Sequence, residues 1–165
     1  VFQMAALFDS LTVFDNVAFP LNEHRKDLPR AERRDRVHAK LEALGLADSA
    51  GRFPSELSGG MRKRAGLARA IVMDPKFVLY DEPTTGLDPL TTESVDEMIV
   101  QASEQFGVTS IVISHDITSA LRVADSIAFL HDGVIVEEGP PSEMRHSAHP
   151  MVARFFESWR RGFEA

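Results

Sequence analysis

The sequence of 165 residues predicts an α/β fold in its second half, preceded by a mainly helical segment. Short apolar runs alternate with helical patterns from Phe77 onward, which is typical of layered helix and sheet structures. Hydrophobic residues make up 44% of the chain, enough to form a core. No apolar run exceeds five residues, whereas a membrane-spanning helix needs about 20. The absence of cysteine excludes a disulfide scaffold, a zinc finger and a thiol nucleophile.

The net charge of −7 is unevenly distributed along the chain. Residues 1–69 carry 12 Lys and Arg against 9 Asp and Glu, whereas residues 70–165 carry 6 against 16. Acidic residues interrupt the basic cluster at 25–40, which is typical of a solvated helix face. The acidic second half argues against a nucleic-acid partner.

The first half is predicted to contain two helices after an apolar, irregular segment. Residues 1–21 are interrupted by Asp9-Ser10, Asp15-Asn16 and Pro20. One helix begins near Pro29 and ends before Gly45, and the next begins at the N-cap Ser58 and ends at Asp74-Pro75. The predicted buried face of this second helix consists of Met61, Ala65, Ala68 and Val72.

The second half is predicted to alternate strands and helices. Residues 77–80 form a continuous apolar run, which indicates a strand buried on both faces. A helix from Asp88-Pro89 to Gly107, a strand at 108–113 and a helix at 117–123 follow. Asp132-Gly133 predicts a hairpin of strands 126–130 and 134–137, and Pro140-Pro141 leads into a helical tail.

Ser58, Gly59, Gly60 and Met61 form the first candidate site. A helix N-terminus offers unpaired N–H groups and a partial positive charge, and glycines let an anion approach the backbone. This pattern is compatible with a phosphate site, and an ordinary helix cap is the alternative.

Three further candidate sites follow turns or strand ends. Asp81 and Glu82 end an apolar strand, where α/β sheets place ligands. Paired carboxylates of this kind hold Mg²⁺ and position water in phosphoryl transfer. His115 follows the next strand, and Asp88 precedes a helix. Each site also has a purely structural alternative. An acidic residue can cap a helix, and a histidine can cap a helix or pack against neighbouring residues.

The order of these motifs is more specific than its parts. The motifs are Gln3, Leu-Ser-Gly-Gly-Met, a strand ending in Asp-Glu, Gly-Leu-Asp-Pro and a strand ending in Ser-His-Asp. In this order they resemble the ATP-binding subunit of an ATP-binding cassette (ABC) transporter. The resemblance covers residues 1–138 and implies a partial P-loop NTPase fold. It implies a Q-loop and helical subdomain at 1–75, a RecA-like core at 76–139 and a helical tail at 140–165.

The resemblance also implies a role for each site residue. Ser58, Gly59, Gly60 and Met61 would be the signature motif, which caps the γ-phosphate of ATP on the opposing subunit. Asp81 would be the Walker B acid for Mg²⁺, and Glu82 the general base. His115 would be the switch histidine, Asp88 would lie in the D-loop at the dimer interface, and Gln3 would be the Q-loop glutamine near Mg²⁺.

The resemblance implies partners as well. These are a second ATPase subunit and a transmembrane permease, at the cytoplasmic face of a bacterial inner membrane. The apolar residues after Gln3 would line a groove for the permease, or they would belong to the helical core; they are Met4, Leu7, Phe8, Leu11, Val13, Phe14, Val17 and Phe19. For the aromatic tail at 150–165, packing on its own domain and docking on a partner are the alternatives.

One family element, the phosphate loop Gly-x-x-x-x-Gly-Lys-Ser/Thr, does not occur in this sequence. We therefore expect a chain truncated before the Q-loop; a protein that naturally lacks the loop is the alternative. The unpaired hydrophobic strand edge should make this stretch by itself poorly stable or self-associating, and it should have no ATPase activity.

The residues of these motifs are similar to those in one branch of the family. Met61 followed by Arg62-Lys63-Arg64 is similar to ATPases of Mla/Mce-type systems, which move lipid between bacterial membranes. Alternatives are an importer ATPase for amino acids or other small solutes and a translation-factor-type ATPase. A purely regulatory domain is disfavoured, because Glu82 and His115 are both present.

Overall fold

The structure is a computed structural model that describes residues 6–161. The chain divides into two compact units, Val1–Ile113 and Ser114–Ala165. The first contains α1 (Val13–His24), α2 (Arg30–Ala43), α3 (Gly59–Ile71), β1 (Phe77–Asp81), α4 (Pro89–Phe106) and β2 (Thr109–Ile113). The second contains α5 (Ile117–Val123), β3 (Ile127–His131), β4 (Val134–Gly139), α6 (Pro141–Met144) and α7 (Pro150–Arg161).

The helix α1 corrects the prediction of irregular structure up to residue 21. Thr12 caps α1 by accepting a hydrogen bond from the Asp15 N–H at 3.1 Å. Val13, Val17 and Leu21 recur every four residues and are fully buried. Pro20 lies inside this helix, where it removes one backbone donor. Burial of the apolar face therefore outweighs the cost of the proline.

The predicted helices α2 and α3 are confirmed. Pro29 precedes α2, and Gly45 follows it with a φ of +64°, a left-handed conformation that glycine adopts without strain. Ser58 caps α3, which ends at Ile71, three residues before the predicted stop. The core shared by α1, α2 and α3 consists of Val13, Val17, Ala18, Leu21, Val37, Leu41, Leu46, Leu57, Ala65, Ala68 and Val72.

Strands β1 and β2 pair in parallel, with Leu79 opposite Ile111. The prediction that β1 is buried on both faces is wrong. Val78 and Tyr80 are buried, whereas Phe77 and Leu79 on the opposite face are each 58% exposed. The outer face also carries Ile111 and Ile113, which are 48% and 56% exposed. Within residues 6–161, β1 and β2 are each other's only strand neighbours, so each has an unpaired edge.

The helix α4 contacts β2 and α3. Asp88 caps it, Pro89 is its first residue, and Gly107 ends it with a φ of +63°. Its buried apolar residues are Val95, Met98, Ile99 and Ala102.

The second unit also follows the predicted order. Asp132 and Gly133 have φ values of +46° and +79° and connect β3 and β4 as a tight antiparallel hairpin. From the tail, Val152 and Phe156 of α7 pack with Ile117 and Met144, so the tail packs on its own unit. Among the described helices, none has the length and apolar character needed to cross a membrane.

Candidate functional site

The turn at Ser58 leaves the start of α3 accessible. Ser58 is exposed, and its hydroxyl accepts a hydrogen bond from the Met61 N–H at 3.3 Å. A Cβ added at Gly60 would meet no atom within 4 Å, and one added at Gly59 would meet only Arg62 Nη2 at 4.0 Å. The predicted cap is therefore present, and open space lies beside the glycines where an anion could approach the backbone.

Glu82 directly follows β1 and has an unusual backbone. Its φ is +47°, in the left-handed region that non-glycine residues seldom occupy. Its N–H donates to the Ile113 carbonyl at 2.9 Å, which extends the pairing of β1 with β2 by one residue. Such conformations persist where the surroundings fix them, and they cluster at functional sites.

Two side-chain hydrogen bonds also hold the loop after Glu82. The Thr85 hydroxyl donates to Glu82 Oε2 at 2.8 Å, which orients the carboxylate. The ammonium of Lys63, on α3, donates to the carbonyl oxygen of Pro83. Burial lowers the pKa of Lys63. Sequence reasoning assigned neither contact to Thr85 or Lys63. The available signals were a threonine three residues after Glu82 and a cation close to the Ser-Gly-Gly turn.

Asp88 is an exposed helix cap. Its Oδ1 accepts hydrogen bonds from the N–H groups of Leu90 and Thr91, each at 3.1 Å, and its Oδ2 accepts one from the Thr91 hydroxyl at 2.5 Å. The Thr91 side chain is the main cause of a lowered pKa for Asp88. The capping alternative is thus realised.

His115 lies at the start of the second unit and is exposed. The cap of α5 is Asp116, whose Oδ1 accepts from the N–H groups of Thr118 at 2.9 Å and Ser119 at 3.2 Å. The side chain of His115 is therefore not the helix cap. Gln3, the remaining predicted site residue, lies outside the described residues.

The exposed carboxylate of Asp81 fits a magnesium ion that has other ligands besides protein. No group of three His, Cys, Asp or Glu side chains suited to a metal occurs in the described part of the chain. Mg²⁺ commonly uses one or two carboxylates together with waters and substrate phosphates. The carboxylate of Asp81 is thus compatible with a Mg²⁺ ion whose remaining ligands are waters and phosphate oxygens.

These features define the class of the protein. A family model described as ABC transporter matches residues 1–85, just over half of the chain. The chain belongs to the ABC transporter family, with the α/β ATPase fold that the sequence predicts.

Relatives within this family include two transport proteins. The chain is 43% identical over 157 residues to the intermembrane phospholipid transport system ATP-binding protein MlaF of Escherichia coli K12, covering 95% of this chain and 58% of the relative. It is 42% identical over 162 residues to the "Probable ribonucleotide transport ATP-binding protein mkl" of Mycobacterium leprae, covering 98% of this chain and 46% of the relative. The chain thus spans about half the length of these relatives.

A solved structure is similar as well. It is described as a dimeric, post-hydrolysis state of the ATP-binding cassette MJ0796 bound to ADP and Pi. The identity is 34%, the TM-score is 0.68, and the match covers 86% of this chain and 61% of that one.

Proposed function

We propose that this chain provides the signature and catalytic-carboxylate half of an ATP-hydrolysing ABC transporter subunit. The observation that carries the proposal is the geometry of Glu82, whose left-handed backbone and Thr85 hydrogen bond fix its carboxylate at the end of β1. A group held in this way can orient a water molecule without reorganising during the reaction.

The proposed active site is assembled from two copies of the subunit. The open start of α3 at Ser58, Gly59, Gly60 and Met61 would donate N–H groups to the γ-phosphate of a nucleotide held by the opposite copy. The dimeric, nucleotide-bound state named for the MJ0796 structure supports this arrangement.

The remaining roles concern residues around the nucleotide. Glu82 would accept a proton from the attacking water, and Asp81 would hold Mg²⁺, which supplies charge neutralisation for the phosphates when bound. His115 would contact the γ-phosphate, and Gln3 would lie near the metal. Asp88 would lie at the dimer interface while capping α4.

A membrane permease is the proposed second partner, which places the subunit at the cytoplasmic face of a bacterial inner membrane. Support comes from an exposed aromatic pair, of which one residue lies in α1 and the other precedes it. The rings of Phe8 and Phe19 lie 4.9 Å apart and are 42% and 38% exposed, and the Arg69 guanidinium lies 5.6 Å from the Phe8 ring. Aromatic residues, phenylalanine included, and arginine are enriched at protein interfaces relative to the rest of the surface. Val13 and Val17, in contrast, belong to the core.

Phospholipid is the proposed cargo, because the motif at Met61 and the similarity to MlaF both support it. The name of the mycobacterial relative favours a second candidate, a small solute such as a ribonucleotide. The two can be separated with the full-length protein and its permease in lipid nanodiscs. Transfer of labelled phospholipid that depends on ATP supports the first; ATP-dependent uptake of ribonucleotide without lipid transfer supports the second.

The ATPase proposal is tested by substitution in the full-length protein. Glu82→Gln should lower turnover by at least about 100-fold and retain ATP in a closed dimer, because phosphate binding persists while water activation fails. Ser58→Arg should abolish turnover by filling the phosphate site across the dimer. The readouts are phosphate release and dimer formation by size exclusion.

Either variant can contradict the proposal. Unchanged turnover of Glu82→Gln would remove Glu82 from the role of base, and full activity of Ser58→Arg would leave Ser58 as a helix cap only.

A further inference from the structure

Lys63 joins the two motifs that the proposed function assigns to different nucleotides. It lies on α3, five residues after the cap Ser58. Its ammonium donates to the carbonyl of Pro83, the residue that follows Glu82. One side chain therefore connects the helix that starts at the signature turn with the loop that carries the catalytic carboxylate.

The environment makes this hydrogen bond consequential. Pro83 and Thr84 are buried, and burial lowers the pKa of Lys63. Proline has no N–H, so the carbonyl is the only backbone group through which Pro83 can be held by a hydrogen bond. A charged donor to a carbonyl in a partly desolvated site forms a stronger bond than a neutral donor does. Removing it would leave a shielded acceptor without this partner.

Contacts from several elements fix the shape of the loop. The Glu82 N–H is fixed to the end of β2, and its carboxylate is fixed by Thr85. The contact from Lys63 comes from a different element, α3, and acts at the residue next to the left-handed backbone of Glu82. A shift of α3 along or about its axis would therefore act directly on the position of this carboxylate.

We propose that Lys63 is a positioning residue that couples the two ATP sites of the dimer through a single chain. The inference rests on the proposed function. When the start of α3 engages the γ-phosphate on the opposite subunit, Lys63 transmits the position of α3 to the Glu82 loop of its own subunit. Binding of the γ-phosphate at one ATP site thereby fixes the position of the Glu82 carboxylate at the other ATP site.

The test compares Lys63→Met with Lys40→Met in the full-length protein. Lys40 is a suitable control, because its half-buried ammonium also makes contacts between elements, at 2.8 Å to Asp74 and 4.5 Å from the Phe106 ring, away from the Glu82 loop. Lys63→Met should lower kcat about 10- to 100-fold with a KM within about 3-fold, since misplacement of a catalytic group acts on the chemical step. It should also reduce the Hill coefficient for ATP towards 1.

Two further measurements separate positioning from a loss of folding. Hydrogen exchange of residues 82–88 should rise in Lys63→Met while that of α1 and α2 stays unchanged. Lys63→Arg, which keeps a charged donor, should recover most of the lost kcat. If Lys63→Met matches Lys40→Met in kcat, Hill coefficient and loop exchange, the coupling role is wrong. The coupling role is also wrong if Lys63→Met destabilises the protein and Lys63→Arg restores its stability but does not recover kcat.

The outcome can be distinguished from failure of the proposed function. If Glu82→Gln turns over ATP normally, the catalytic assignment itself fails. If Glu82→Gln is inactive and Lys63→Met behaves as wild type, only the coupling role fails.

Discussion

Two parts of the first unit bury their apolar residues to different degrees. In the bundle of α1, α2 and α3, residues such as Val17 and Leu41 are fully buried. On the outer face of the β1–β2 sheet, Leu79 is 58% and Ile111 is 48% exposed. Three amphipathic helices complete a core with residues nearby in sequence, whereas a sheet needs a layer on each face. The described residues supply that layer, which includes α4, on one face only.

The largest expected effect tests the helical bundle. Leu41→Ala should destabilise the protein by about 2–5 kcal/mol, because it removes a fully buried side chain and leaves a cavity. Urea unfolding followed by circular dichroism measures the loss. Glu42→Ala, at the exposed neighbouring position, is the control and should change stability little. Equal effects of the two variants would show that the bundle is not the tightly packed part of the unit.

A smaller effect is expected on the outer face of the sheet. Ile111→Thr keeps a β-branched residue and should change stability by less than about 0.5 kcal/mol, while it reduces self-association measured by sedimentation. Val78→Thr, on the buried face, is the matched substitution and should cost about 1–3 kcal/mol, because it buries a hydroxyl. If both cost the same, the outer face is covered.

The smallest effect concerns the cap of α4, the helix beside the buried face. The pKa of Asp88 is lowered by Thr91, so its contribution to stability is present above the ordinary Asp pKa of 3.8 and is lost as the pH falls through the lowered folded value. Asp88→Asn retains a capping oxygen but does not titrate. The urea midpoints of the two proteins should therefore converge as the pH falls from 5 towards 3, and a constant difference would contradict this.

The sequence predicted most elements and the positions of the motifs, because caps and turn residues act locally. Ser58, Asp88 and Asp132-Gly133 each determine a boundary through their own backbone or side chain. The prediction is wrong at α1, because it treats Asn16 and Pro20 as breaks in a segment that forms a helix. Asn16 is in fact buried, and its amide donates to the carbonyls of Phe8, Leu11 and Thr12, which holds the preceding turn against the helix.

The burial of β1 was also mispredicted, for a different reason. A continuous apolar run reports what a strand is able to bury, whereas its actual burial depends on the layers around it. The contact between Lys63 and Pro83 joins residues 20 positions apart and follows no sequence period, so it became visible only in three dimensions.

The tyrosine and the tryptophan of the chain lie in different units. The chain has one tyrosine and one tryptophan. Tyr80 is buried on β1 of the first unit, and Trp159, on α7 of the second, donates its indole N–H to the Thr118 hydroxyl at 3.2 Å. Each unit thus carries its own intrinsic chromophore. Indole fluorescence therefore reports on the docking of α7 on α5, and the phenol absorbance of Tyr80 reports on the surroundings of β1.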